Sequence, residues 1–363
     1  MFFLVNRSEA VGALEHGGRL NQAAKQYEIP VGQWLDLSTG VSPWCYPFAA
    51  PAEASWQRLP ENDDGLMQAA SRYYGCESIL ALPGSQAAIS MLPLLRAHSR
   101  VLILGPTYNE HGHGWRQAGH QVEFCDQLPG ADQLAKADVL VVVNPNNPTG
   151  RLVPPQQLRN WYQQLPEQSW MIVDEAFVDS RPEQSLLSTQ EHLCSSRVLV
   201  LRSLGKFFGL AGVRVGFALG STELLKLLEQ KLVSLLGSWP LSGPSREVAV
   251  QALSDRNWQQ LQRQRLLDSG ERLARLLSNL GHPPDGQTDL FCWLKTDRAA
   301  EWQQFLATQG IWCRRFEDPS AIRFGLPATE DQWQRLEQGL RELFLIQARS
   351  IPVNTVCDEG VPA

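Results

Sequence analysis

The chain has 363 residues, 43% of them hydrophobic, and a formal net charge of −6. This is enough for one large domain or two ordinary ones with a sizeable core, and the acidic balance argues against a general nucleic-acid surface or an anionic membrane surface. Seven scattered cysteines, with no CxxC pair, argue against a disulfide framework or a zinc knuckle and point to a reducing cytoplasm.

The opening MFFLV run is too short for a signal-peptide core. No later stretch approaches the ~20 apolar residues that cross a bilayer. Residues 19–27 read as a helix within an N-terminal arm, 1–44. Short apolar runs then alternate with amphipathic stretches through 45–240. Residues 78–82, 100–104, 121–124, 138–143, 170–174 and 197–201 read as strands, with helices at 86–95 and 155–164 among them. That alternation predicts an α/β domain whose mostly parallel sheet is covered by helices on both faces. From 241 to 348 the texture changes. A long helical pattern at 245–280 leads to strands at 290–294 and 321–325 and helices at 300–309 and 329–348, a smaller α+β domain. Residues 349–363 carry no pattern and read as a loose tail.

Five motifs follow one another, each expected at the carboxyl end of a strand, where catalytic groups of open α/β sheets gather. The turn Gly84-Ser85-Gln86 opens a helix whose N–H groups suit a phosphate, although alone it reads equally as a plain cap. Tyr108, in Gly105-Pro106-Thr107-Tyr108, offers a ring to stack on a flat ligand or simply a packed surface aromatic. In Asn144-Pro145-Asn146-Asn147-Pro148-Thr149-Gly150, two X-Pro pairs stiffen a loop that aims an amide. Asp174, in Asp174-Glu175-Ala176-Phe177, is a carboxylate at a buried strand end and needs a cationic partner. Last comes RSLGKFFGLAGVRVG, where Lys206 lies between Ser203 and Arg214 amid Phe207, Phe208, Leu210 and Val213. Burial favours a neutral lysine, which forms an imine with an aldehyde, while serine and arginine suit a phosphate. Aldehyde and phosphate occur together in pyridoxal 5'-phosphate. His111-Gly112-His113 lacks a third ligand and reads as a loop at the entrance of the site rather than a metal centre.

Together NPNNPTG, DEAF and SLGKFFGLAGVRVG resemble the fold-type I pyridoxal-phosphate enzymes, the aspartate aminotransferase superfamily of class I/II, over most of the chain. The resemblance implies that Lys206 carries the aldehyde as a C=N link and that Asp174 pairs with the pyridine nitrogen. It implies that Asn147 bonds the phenolate oxygen, that Tyr108 stacks on the ring, and that Ser203, Arg214 and Gly84-Ser85-Gln86 hold the phosphate. Arg323, in AIRFGLP, would grip a substrate carboxylate. A homodimer with sites at the subunit interface is the family's arrangement.

Leu14-Glu15-His16-Gly17-Gly18-Arg19, followed by Trp34-Leu35-Asp36-Leu37-Ser38-Thr39-Gly40-Val41-Ser42-Pro43, looks like the cobalamin-pathway threonine-phosphate decarboxylases, near relatives of histidinol-phosphate aminotransferases. Arg58-Leu59-Pro60-Glu61 replaces the Tyr-Pro of aminotransferase relatives, and Phe177 replaces a tyrosine beside the cofactor. These features imply decarboxylation of a small phosphorylated amino acid, O-phospho-L-threonine, to (R)-1-amino-2-propanol phosphate. A histidinol-phosphate-type aminotransferase is the alternative, and a non-catalytic cofactor-sensing module a remote one. The second anion that such substrates carry would fall to Arg314, His16 and Arg19, with Ser38, Thr39 and Gly40 beside the carboxylate.

Overall fold

The computed structural model describes residues 17–189 and 196–349. Its strands are β1 (Leu35–Leu37), β2 (Ile79–Leu82), β3 (Arg100–Leu104), β4 (Gln121–Cys125), β5 (Val139–Val143), β6 (Trp170–Asp174), β7 (Val198–Ser203), β8 (Gly216–Gly220), β9 (Gly286–Thr288), β10 (Phe291–Lys295), β11 (Ile311–Glu317) and β12 (Ser320–Gly325). Its helices are α1 (Leu20–Tyr27), α2 (Glu53–Gln57), α3 (Leu66–Tyr74), α4 (Ser85–Met91), α5 (Asn109–Gln117), α6 (Ala131–Leu134), α7 (Pro155–Gln164), α8 (Thr222–Leu236), α9 (Gly243–Ser254), α10 (Arg256–Asn279), α11 (Ala299–Thr308) and α12 (Glu330–Arg349).

Seven strands form one sheet in the order β2-β8-β7-β6-β5-β3-β4. Only β8 runs against its neighbours, pairing antiparallel with both β2 and β7. The other six strands share one direction, so β2, β3, β5, β6 and β7 all end on the same edge. Each of these strand ends carries one of the five motifs. The central strands are apolar and buried along their length, as in β5, Val-Leu-Val-Val-Val. Successive side chains alternate between faces. Leu102, Leu140, Val142, Met171 and Val200 feed a core with α3, α7, α9 and α10. Val101, Ile103, Val139, Val141 and Ile172 feed a second core with Trp115 of α5 and Leu224 and Leu228 of α8.

A second sheet has the order β1-β11-β12-β10-β9. Its edge strand β1 comes from the N-terminal segment and pairs parallel with β11, Leu35 opposite Ile311. The first core continues into this sheet through Leu290, Phe291, Ile311 and Phe324. The helical pattern at 245–280 is two helices rather than one. Asp255 leaves the helical conformation (φ −87°, ψ 85°) and caps α10 by accepting from the Trp258 N–H. The two sheets meet closely at Gly286, where an added Cβ would lie 1.8 Å from the Thr149 carbonyl oxygen. Arg181 and Asp289 bridge the same junction with two 2.9 Å bonds.

Candidate active site

A cavity of about 390 Å³ opens at the shared strand edge, and Lys206, Asp174, Asn147, Tyr108, Ser203, Arg214 and the Gly84-Ser85-Gln86 turn all line it. Residues drawn from five separate strand ends thus converge on one space.

Lys206 follows β7 in a short turn whose carbonyl accepts the Ser42 N–H at 2.9 Å. Its Nζ lies 5.3 Å from the centre of the Phe177 ring. Burial, then the positive charges of Arg323 and Arg214, lower its pKa from 10.5 to about 8, with Asp174 pulling the other way. A lysine so placed is neutral far more often near pH 7 than an ordinary one, and the neutral form is the nucleophile. Asp174 ends β6 at 3% exposure. Its Oδ1 accepts the Ala176 N–H at 3.1 Å, and its Oδ2 lies 3.0 Å from His111 Nε2.

The asparagines of NPNNPTG divide their work. Asn144 exchanges two bonds with the Val153 backbone, at 3.0 and 2.7 Å. Asn146 donates to the Pro106 carbonyl at 2.8 Å and to Thr149 Oγ1 at 2.6 Å. With those two tied into the loop, Asn147 is the one turned into the cavity, where its Oδ1 accepts from Arg323 Nη1. Tyr108 donates to Gln86 Oε1 at 3.2 Å, and burial raises its hydroxyl pKa well above the ordinary value. Gly84 adopts φ +81°, and a Cβ there would stand 2.7 Å from Arg214 Nη2. The turn therefore brings bare backbone against a guanidinium, as an anion cradle requires. Ser203 Oγ accepts the Gly205 N–H at 3.1 Å on the same side.

Arg323 lies on β12, opposite Arg314 on β11 and Trp293 on β10. Besides Asn147 it donates to the Ser38 carbonyl at 2.9 Å, and its guanidinium carbon sits 4.9 Å from the Phe291 ring. Burial, and then Arg314, lower its proton affinity. Ser38 Oγ donates to Asp36 Oδ1 at 2.6 Å and accepts the Gly18 N–H at 2.8 Å, while Gly40 packs on Phe177 and Phe291. Thr39 lies between them, its carbonyl close against Gly325. Ser38 to Gly40 therefore back the Arg323 end of the site rather than line the cavity itself. Arg19 is exposed ahead of α1. His16 lies outside the described residues.

His111 needs correction. It stands on helix α5, not in an entrance loop, and is fully buried against Asp174. Glu110, also unforeseen, lines the cavity and accepts from Gln86 Nε2 at 3.0 Å. Among the described residues, no group of three or more His, Cys, Asp or Glu could hold a metal ion. No helix among them is long and apolar enough to cross a membrane.

The sequence model of the aminotransferase class I and II family matches residues 54–338. Threonine-phosphate decarboxylase of Pseudomonas aeruginosa is 51% identical over 332 residues, covering 90% of this chain and 97% of that protein. Threonine-phosphate decarboxylase of a Sinorhizobium species is 36% identical over 339 residues, covering 91% and 98%. Among solved structures, histidinol-phosphate aminotransferase from Sinorhizobium meliloti in complex with pyridoxal 5'-phosphate superposes with a TM-score of 0.74. That match covers 95% of this chain and 99% of the other at 18% identity, a likeness of fold. With matched sequence running from α2 to α12, and the family's strand-end motifs gathered around one lysine, the chain belongs to the aminotransferase class I and II family.

Proposed function

We propose that this protein holds pyridoxal 5'-phosphate at Lys206 and decarboxylates O-phospho-L-threonine to (R)-1-amino-2-propanol phosphate, a step of cobalamin biosynthesis. The observation that carries this reading is the 51% identity to a threonine-phosphate decarboxylase over 97% of that protein's length.

The residues fit the cofactor. Lys206 supplies an amine for its aldehyde, Asp174 a carboxylate for its ring nitrogen, and Asn147 an amide for its phenolate oxygen. Tyr108 offers a ring face. Arg214, Ser203 and the Gly84-Ser85-Gln86 turn form the anion cradle, which an added Cβ on Gly84 would obstruct. When bound, the cofactor supplies an electron-withdrawing ring that accepts the electron pair left at the substrate α-carbon as CO₂ departs.

The chain's own groups decide which bond breaks. Arg323 takes the substrate carboxylate in a two-point grip that fixes the orientation of the α-carbon. Asn147, bonded to that guanidinium, ties the carboxylate end to the cofactor end. Arg314 lies directly across from Arg323 and takes the substrate phosphate, with Arg19 and His16 as further ligands. Phe177 places an aromatic face, not a phenol, beside the Lys206 amine. Lys206 Nζ or a water molecule returns a proton to the α-carbon.

We further infer a cytoplasmic homodimer. Large apolar side chains stand exposed on and after α2 and α8, with Trp56 at 70%, Trp239 at 55% and Leu236 at 51% exposure, an area suited to a partner subunit. Cys45, Cys125, Cys292 and Cys313 are free thiols, as a reducing compartment would keep them. The enzymatic reading is tested by incubating holoenzyme with O-phospho-L-threonine or histidinol phosphate, each with and without 2-oxoglutarate. CO₂ release from phosphothreonine without a keto acid is expected. Consumption of 2-oxoglutarate without CO₂ would establish an aminotransferase instead.

A further inference from the structure

We propose that a second cavity, at the junction of α3, α9 and α10, is an anion site that takes a small molecule carrying a pyrophosphate group. This cavity of about 560 Å³ is separate from the Lys206 site and shares no lining residue with it. Arg72 of α3 and Arg256 and Arg263 of α10 line it, with Asn257 and Gln260 between them and no carboxylate in its wall. On a chain with a net charge of −6, such a concentration of positive charge is a local exception.

No carboxylate among the described residues lines it. Neither Arg72 nor Arg256 has a hydrogen bond or ion pair there. Arg256 opens a 24-residue helix, the end at which a cation is electrostatically unfavourable. The nearby carboxylates stand outside its wall. Asp255 caps α10 through the Trp258 N–H. Asp179 takes Arg202 at 2.6 Å and the Tyr73 hydroxyl at 3.0 Å. A phosphate monoester brings about two negative charges, fewer than the three guanidiniums, whereas a pyrophosphate group with its further ionised oxygen matches them. The planar forks of arginine suit such oxygens.

The cavity is also wired to the catalytic lysine. Arg263 Nε donates to the Asp179 carbonyl at 3.1 Å, and its guanidinium carbon lies 5.6 Å from the Phe207 ring. The adjacent Gln262 donates to the Phe207 carbonyl at 3.2 Å and to Ser42 Oγ at 2.7 Å. Ser42 in turn donates its N–H to the Lys206 carbonyl at 2.9 Å. The cavity wall therefore adjoins the helix turn that holds the Lys206 peptide.

Calorimetric titration of the holoenzyme with inorganic pyrophosphate and with orthophosphate tests the site. Pyrophosphate is expected to bind at least tenfold more tightly than orthophosphate, also when the active site is saturated with O-phospho-L-threonine. The exposed double variant R72Q/R256Q should bind pyrophosphate at least tenfold more weakly, with its cofactor absorbance and substrate KM unchanged. Equal affinity in variant and wild type, equal affinity for the two anions, or displacement of pyrophosphate by substrate would each overturn the proposal. The binding readout does not require turnover, so it stands apart from the outcome of the decarboxylase assay.

Discussion

A lysine amine set against Phe177 and flanked by two guanidiniums pays for its burial in proton affinity, and that tuning is measurable in the apo-enzyme. Its pKa of about 8 lies below the ordinary 10.5 because burial and the charges of Arg323 and Arg214 oppose protonation, while Asp174 favours it. Arg323→Ala removes a positive neighbour, so the Lys206 titration midpoint should rise. Asp174→Asn removes the negative one, so the midpoint should fall. Nitrogen-15 NMR of the labelled apo-enzyme reads both, and shifts of the same sign would contradict the electrostatic origin. His111 is the second test at this scale. Hydrogen bonds to charged groups contribute about 1.5–3 kcal/mol, so His111→Phe, which abandons Asp174, should weaken cofactor binding by about tenfold or more. Equilibrium dialysis against pyridoxal 5'-phosphate measures it, and unchanged affinity would show the contact to be idle. Asp174 stood out in the sequence because a carboxylate ends an apolar strand. Its partner did not, because His111 lies 63 residues away and only the parallel sheet brings them together.

The strands of the large sheet were legible because the central ones are apolar throughout and buried on both faces. β8 escaped notice because Gly-Phe-Ala-Leu-Gly continues directly from the lysine motif and begins and ends in glycine. β11 was hidden too, since Ile-Trp-Cys-Arg-Arg-Phe-Glu mixes charges into a strand, with Arg314 opposite Arg323 and Arg315 paired with Glu317. The break before α10 turned on a single capping aspartate inside an unbroken helical period. The close approach of Gly286 to Thr149 is equally silent in sequence, because Gly286 is an ordinary glycine until Thr149 is seen against it. Gly286→Ala would force a methyl carbon to within 1.8 Å of the Thr149 oxygen, so β9 and the Asn147 loop must part. Overpacking of this kind costs about 1–3 kcal/mol. Thermal unfolding should show that loss together with a raised substrate KM, because Arg323 and Asn147 meet across the same junction. A variant as stable and as tight as the wild type would mean that the junction yields freely.

At the scale of the whole molecule, one core runs from a face of the large sheet into the small one, and the N-terminal segment completes the small sheet through β1. The cavity at the strand edge is thus walled by the large sheet's strand-end residues, and the small sheet reaches it through Arg323, which bonds Asn147 in that wall. The order of motifs along the chain was readable because each sits at a strand end, whereas the second arginine cavity depends on how three helices pack. The whole assignment rests on the Lys206 amine as the point of covalent attachment. Borohydride reduction of the cofactor-loaded protein, followed by peptide mass mapping, measures this most directly. A pyridoxyl adduct on Lys206 and on no other lysine is expected, and a reduced protein with no adduct there, or with it elsewhere, would contradict the reading of this cavity as the cofactor site.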